Sequence, residues 1–456
     1  MNDNQNHADL VARAAQLGAP AATEVGSEQL AEGLRADSPG RMPWRQIVPV
    51  LLAQLALYVA FVAPSAFSLA IRVQEIAPAA KDVILALAIG IPGIAVIFIT
   101  PFIGVLSDRT RSRLGRRRPW IIAGMVLGLV GSTVIGIVPN AAVLIVGWVA
   151  AYIGYTAIAL MILAHFGDRL PESQRGRVMG INGAITQVGP ILGIVVAGAF
   201  TSIPALMFLI PGAIAFVGGV AFVILMHDPV SDAPVSKIDV KSLFSGFYFN
   251  PRRYSNLGWV WLSKALVFLA LALMSIYSVY LLTSRLELST AAVAGVIATV
   301  GAAGVLVAIL GAITSGWLSD KLHTRKPFLI VSALLLGASL VVVGTVDSIP
   351  QYIVGSLLGT LAIGIYGSVD QAIQLDVLPQ DEDQNGRFLS VLGLANQIPQ
   401  AVGPFLAGLI VTIAAGNYSG VYFFAAGAAA LGALAIIPIS VGRRASLSTT
   451  STRAMR

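Results

Sequence analysis

Runs of about 20 predominantly apolar residues, the length that crosses a bilayer, recur along the chain with short polar breaks between them. The pattern predicts six spanning helices near 46–71, 83–106, 119–138, 141–164, 178–201 and 203–226. Six more follow near 257–282, 290–316, 327–346, 350–378, 387–414 and 418–440. Residues 1–43 are polar and carry no apolar core of the signal-peptide kind, so they read as a disordered tail. The stretch 227–256, with Pro229, Pro234 and Pro251, reads as a linker, and 442–456 as a second tail. The expected fold class is therefore an all-α polytopic membrane protein with two six-helix halves, 44–226 and 257–441.

Composition strengthens this reading, because 56% hydrophobic and 11% charged residues lie far from the roughly 25% charged of a soluble domain. A net charge of +7 in a soluble protein points to nucleic acid, but here the basic residues sit in short loops beside apolar runs. Of the 29 lysines and arginines, all but Arg72, Lys81, Arg285 and Lys264 fall on the tails and on alternate loops. Basic loops stay in the cytoplasm, so both termini are expected there, in a multi-pass protein of the cell membrane. The sequence has no cysteine, which excludes disulfides and thiolate chemistry. There is no G-x-x-x-x-G-K-[ST] loop and no H-E-x-x-H pair. An enzyme or primary pump is not expected, nor a cofactor, a metal or a nucleic-acid partner.

The two sets of spans are copies. GVLSDRTRSRLGRRRPWIIAG, from Gly104 to Gly124, is echoed by GWLSDKLHTRKPFLIVSALLLG, from Gly316 to Gly337. Asp168-Arg-Leu-Pro before Gly176-Arg177 reappears as Asp376-Val-Leu-Pro before Gly386-Arg387. Asn182 precedes Gly189-Pro190 by seven residues, as Asn396 precedes Gly403-Pro404. Repeated halves around a central site are how many secondary carriers are built. The doubled G-x-x-x-D-[RK] loop with its basic cluster resembles the signature loop of the major facilitator superfamily, and SDRTRSRLGRRRPW resembles its sucrose-permease and glycoside/pentoside/hexuronide branches. The resemblance implies spans 1, 4, 7 and 10 around a central cavity, a small-molecule substrate that is a sugar, proton coupling and a monomer. The second span lacks the acidic residues that bind sodium in melibiose-type carriers.

Polar side chains inside spans are costly in lipid and face cavities or other helices. Spans 3, 6, 9 and 12 have no ionisable or amide side chain and read as supports. Polar groups gather instead at Gln54, Asn182, Gln187, Lys264, Asp370, Gln374, Asn396 and Gln400. Lys264 and Asp370 are the charges inside spans, each roughly 12 Å to 14 Å from the cytoplasmic end at 1.5 Å per residue. That shared depth predicts a pair, either a structural tie between two helices or a protonation switch in which Asp370 titrates and Lys264 tunes it. Tyr366, Asp370 and Gln374 share a face. Trp148, Tyr152 and Tyr155 form an aromatic stripe, either core packing or a stacking platform for a sugar. Asn396 and Gln400 share a face and either bond across helices or hold substrate hydroxyls.

The candidate gate is the basic end: Gly104, Asp108, Arg109, Arg116, Arg117, Asp168 and Arg177 in the first half, and Gly316, Asp320, Lys321, Asp376 and Arg387 in the second. Asp108 is expected either to meet the positive N-terminus of the eleventh span near Arg387, a contact between halves that exists only when the cytoplasmic side is closed, or to neutralise its neighbouring arginines. Symmetry sets Asp320 against the fifth span near Arg177. The expected function is secondary transport of a sugar or glycoside with protons by alternating access. The rivals are a uniporter, a drug or metabolite exporter, and a sensor or scaffold of the same fold.

Overall fold

A computed structural model describes residues 42–226, 250–322, 324–377 and 385–439. The expected tails and most of the linker lie outside these residues, as do the side chains of residues 385–387, Arg387 among them.

Among the described residues, twelve helices are long and apolar enough to cross a membrane. They are α1 (Trp44–Ile76), α2 (Lys81–Arg109), α3 (Arg118–Ile137), α4 (Ala141–Arg169), α5 (Glu172–Gly198) and α6 (Pro204–Leu225) in the first half. The second half holds α7 (Ser255–Ile276, continued as Ser278–Arg285), α8 (Thr290–Leu322), α9 (Lys326–Gly344), α10 (Ile349–Val377), α11 (Asn385–Ile413) and α12 (Ser419–Ile436). Every predicted span has its helix.

Local sequence explains the ends. Pro119, Pro204 and Pro327 sit in the first turn of α3, α6 and α9, where the missing N–H has no helical partner to lose. The side chain of Asn140 caps α4 by accepting from the amides of Ala142 and Val143 at 3.0 and 3.1 Å. Two helices are broken where no break was expected. In α1, Pro64 cannot donate into the preceding turn, and the chain widens into a π turn from Pro64 to Ser68. In α7 the helix lapses at Tyr277, whose φ of −109° and ψ of 15° leave the helical region. These are the first helices of the two halves, so the interruptions are counterparts.

Small residues set the helix spacing. A Cβ on Gly124 of α3 would sit 2.6 Å from the Gly154 carbonyl of α4, so the backbones touch there without intervening side chains. Helices α3, α6, α9 and α12 make their main contacts within their own half, α3 on α4 and α6, and α9 on α10 and α12.

The halves meet through α2 against α11 and α5 against α8. Those contacts lie away from the end that bears the arginine loop. Gly93 faces Ala401, Gly408 faces Ala86, and Gly198 faces Ala294, with a Cβ at these glycines 3.0, 2.8 and 2.7 Å from its neighbour. Toward the arginine loop the same helices separate, and a Cβ added at Gly104, Gly176, Gly180, Gly183 or Gly393 meets nothing within 4 Å. The bundle is thus closed at one end and parted at the other.

Candidate functional site

Between the halves lies a cavity of about 430 Å3, lined by α1, α2, α4, α7 and α11. Its polar members are Ser65, Thr100, Tyr152, Ser275, Asn396, Gln397 and Gln400, and no acidic or basic residue is among its described lining. One wall is aromatic. The ring of Phe61 lies 4.9 Å from Tyr152, with Tyr58 5.9 Å and Trp148 5.6 Å behind them. The facing wall, on α11, is built of amides, and Gln400 donates to the Asn396 carbonyl oxygen at 2.6 Å. The π turn of α1 brings Val62, Ser65 and Ala66 to this space.

Of the aromatic stripe on α4, only Tyr152 reaches the cavity. Trp148 and Tyr155 are 0% and 1% exposed. Tyr155 shares a 2.8 Å hydrogen bond with Ser132 and donates to the Gly128 carbonyl, tying α4 to α3. The stripe spans two environments because residues seven apart point to the neighbouring helix while the one between them turns inward. Tyr155→Phe is therefore expected to lower stability by about 0.5–1.5 kcal/mol, one buried hydrogen bond, while leaving the substrate KM unchanged. Thermal unfolding and uptake kinetics on the same preparation check both halves of that statement.

Gln54 and Asn182 are buried, with a carbonyl oxygen of each lacking a hydrogen-bond partner, and neither lines the cavity. Gln187 is exposed and also off the lining.

Lys264 and Asp370 form an ion pair at 3.0 Å, 8% and 5% exposed, joining α7 to α10. Gln374 donates to the same carboxylate oxygen at 2.6 Å, and the other oxygen has no hydrogen-bond partner. Tyr366 stands one turn away with its ring edge-on to Phe268 at 6.5 Å. This cluster does not open into the cavity. Lys264 lies eight residues, about 12 Å at 1.5 Å per residue, from Ala272, which lines it on α7.

At the parted end the charges are bound within each half. Asp168 takes Arg116 at 2.7 Å and Arg117 at 2.8 Å. Arg117 is 7% exposed and also donates to Ser107 at 3.1 Å. The second half repeats this in reduced form, with Arg325 on Asp376 at 3.0 Å. Arg177 rests on the ring of Trp44 at 4.9 Å, and Lys321 on that of Trp317 at 4.8 Å. Among the described residues, Asp108 makes no contact with α11 and Asp320 none with α5 in this conformation; Arg387, the expected neighbour of Asp108, lies outside the described side chains. Asp108 instead faces Arg117 at 3.4 Å and Arg116 at 4.0 Å, while Asp320 is exposed. The physical reason is the separation of the halves at this end, which leaves Gly104 facing open space and Gly316 with only Ser368, at 4.0 Å, from its own half. Arg109 closes the last turn of α2.

The closed end has a lock that the sequence reading missed. Asp82 at the start of α2 accepts from Tyr277 through its carbonyl and from Tyr418 through its carboxylate, both at 2.8 Å. Tyr280 donates to the Ala70 carbonyl at 2.8 Å, and Lys81 lies 4.8 Å above the Tyr280 ring. The signal was the Lys81-Asp82 pair abutting a span opposite the Tyr277 and Tyr280 of another.

The profile described as Major Facilitator Superfamily matches residues 50–315 and 294–453. A relative from Arabidopsis thaliana, putative glycerol-3-phosphate transporter 5, is 27% identical over an alignment of 289 residues that covers 55% of this chain and 59% of that protein. The chain thus spans about three fifths of that relative's length. The nucleoside transporter NupG superposes with a TM-score of 0.70 at 12% identity, over 87% of this chain and 99% of that one. The D-xylose–proton symporter gives a TM-score of 0.64 at 14% identity, over 87% and 97%. A bacterial homolog of the human lysosomal transporter Spinster gives 0.66 at 14%, over 87% and 96%.

Proposed function

The chain belongs to the major facilitator superfamily of small-solute transporters, and on that premise we propose that it carries a neutral polyhydroxylated solute, a sugar or glycoside, together with protons. The observation that carries this reading is the uncharged cavity between the halves, amide on one wall and aromatic on the other. A phosphorylated solute such as the glycerol phosphate named for the plant relative needs a cation to hold it, since an anion stripped of water without a partner is strongly disfavoured. Among the described residues, the cavity lining supplies none. Asn396, Gln397 and Gln400 match hydroxyls, each amide being donor and acceptor at once.

Coupling is assigned to Asp370 and Lys264. Protonating Asp370 neutralises it, frees Lys264 and loosens the tie of α10 to α7, the helix whose continuation through Ala272, Ser275 and Ile276 lines the cavity. By the positive-inside rule the parted, arginine-bearing end is cytoplasmic, so the conformation described here faces inward, in the cell membrane, with the Asp82–tyrosine lock closing the outer side. The protein acts as a monomer.

In the outward-facing state Asp108 is assigned to the N-terminus of α11 and Asp320 to that of α5, contacts that form only when the cytoplasmic side shuts. A carboxylate at a helix N-terminus contributes about 0.3–1 kcal/mol, so Asp108→Asn is expected to favour the inward-facing state by roughly two- to fivefold. In the cysteine-free background, Gly393→Cys on α11 reports this directly, because a side chain there meets open space. Labelling of that cysteine should rise in Asp108→Asn; an unchanged rate contradicts the gate.

The function itself is tested by uptake into proteoliposomes, with and without a proton gradient, of labelled monosaccharides, glycosides, glycerol 3-phosphate and hydrophobic drugs. Gradient-driven accumulation of a neutral sugar or glycoside supports the reading. Accumulation of the phosphate ester or of a drug overturns it.

A further inference from the structure

Resting on the reading of a neutral hydroxylated solute, we infer that the substrate carries a flat apolar ring attached to its sugar, and that Phe61 is the residue that selects for it. The cavity is not polar all round. Its amides are all on α11, where Asn396, Gln397 and Gln400 lie within about one turn, while the other helices contribute single hydroxyls from Ser65, Thr100, Tyr152 and Ser275. Across from the amides Phe61 contributes a ring with no polar atom, tilted 60° against Tyr152.

A free monosaccharide carries hydroxyls around its whole rim. Seated on the amide wall, it would turn some of them toward the side chains of Phe61, Ile89, Val96 and Ile97, which offer no partner, with only the single hydroxyls of Ser65, Thr100 and Tyr152 between them. Buried hydroxyls without partners oppose binding. A solute with hydroxyls at one end and an aromatic or similarly flat group at the other satisfies both walls at once. The volume, about 430 Å3, lies within the roughly 300–1,000 Å3 of pockets that enclose drug-sized ligands.

Phe61 is placed for this by a local accident of sequence. It is the last residue of the first α-helical segment of α1, just ahead of the Pro64 turn. Its ring is braced by Tyr58 at 5.9 Å, Tyr152 at 4.9 Å and Tyr155 at 6.1 Å. Bracing of this kind holds a ring ready for offset or edge contact with a ligand ring, an interaction between π systems that adds to simple burial.

The test uses purified full-length protein and matched pairs of methyl and phenyl glycosides of glucose, galactose, xylose and ribose. Binding is read from the ligand-dependent shift in unfolding temperature. For whichever sugar binds, the phenyl member is expected to bind at least tenfold tighter than its methyl partner. Phe61→Ala should bring that ratio toward one, and Phe61→Trp should restore it, with size-exclusion profiles verifying that each variant is folded. Equal affinity of methyl and phenyl partners overturns the inference and leaves the neutral-solute reading standing. A ratio unchanged in folded Phe61→Ala and Phe61→Leu removes Phe61 from the role. Binding of neither member for every sugar overturns the underlying reading, and the inference with it.

Discussion

Asp370→Asn is expected to abolish gradient-driven accumulation while leaving exchange of substrate down its own gradient. The carboxylate is 5% exposed and held by Lys264 at 3.0 Å and Gln374 at 2.6 Å. An amide keeps the shape and the hydrogen bond to Gln374 but cannot gain or lose a proton. Lys264→Ala is the more damaging change, because it strands a buried negative charge and leaves no donor in place of the ammonium, whereas the amide of Asp370→Asn can still accept from the Lys264 that it leaves uncompensated. Removing one partner of a buried pair costs about 3–5 kcal/mol, enough to lower folded yield sharply. The double variant Lys264→Ala with Asp370→Asn leaves no stranded charge, so it should recover folding and remain uncoupled. If Asp370→Asn accumulates substrate as the parent does, the coupling role is lost. If the double variant is no more stable than Lys264→Ala, the pair is not what holds α7 to α10.

The second large effect concerns the amide wall. Asn396→Ala and Gln400→Ala each delete a side chain that lines the cavity, and each also breaks the 2.6 Å bond between them. At about 0.5–1.5 kcal/mol per hydrogen bond, the double variant is expected to raise the apparent KM by roughly one to two orders of magnitude with little loss of protein. Uptake kinetics normalised to folded protein decide this. Wild-type KM in the double variant would move the site elsewhere. The same measurement on Gln54→Ala and Asn182→Ala should show smaller changes in KM, since neither residue lines the cavity.

The fold was legible in the sequence because lipid imposes it. A spanning segment needs about 20 apolar residues, so the spans and their order follow from a simple pattern. Even the Lys264–Asp370 pair followed from depth alone. What stayed hidden depends on rotation and on state. Tyr152 and Tyr155 are three residues apart, yet one faces the cavity and the other bonds Ser132, and spacing alone does not say which. Phe61 was invisible for a related reason, since an apolar residue in an apolar span carries no signal until the Pro64 turn is known to expose it. Which partner Asp108 takes depends on state, and spacing alone does not decide between the N-terminus of α11 and the arginines of its own loop. Here the separated halves leave it with the arginines of its own loop.

The central claim is that a proton moves with a neutral solute through the agency of Asp370. The most direct measurement is the pH outside lightly buffered proteoliposomes as a transported glycoside is added with no imposed gradient. Alkalinisation of the medium that scales with substrate uptake is expected, and none in proteoliposomes of Asp370→Asn that still exchange substrate. Uptake without any pH change in the parent, or an equal pH change in Asp370→Asn, would contradict it.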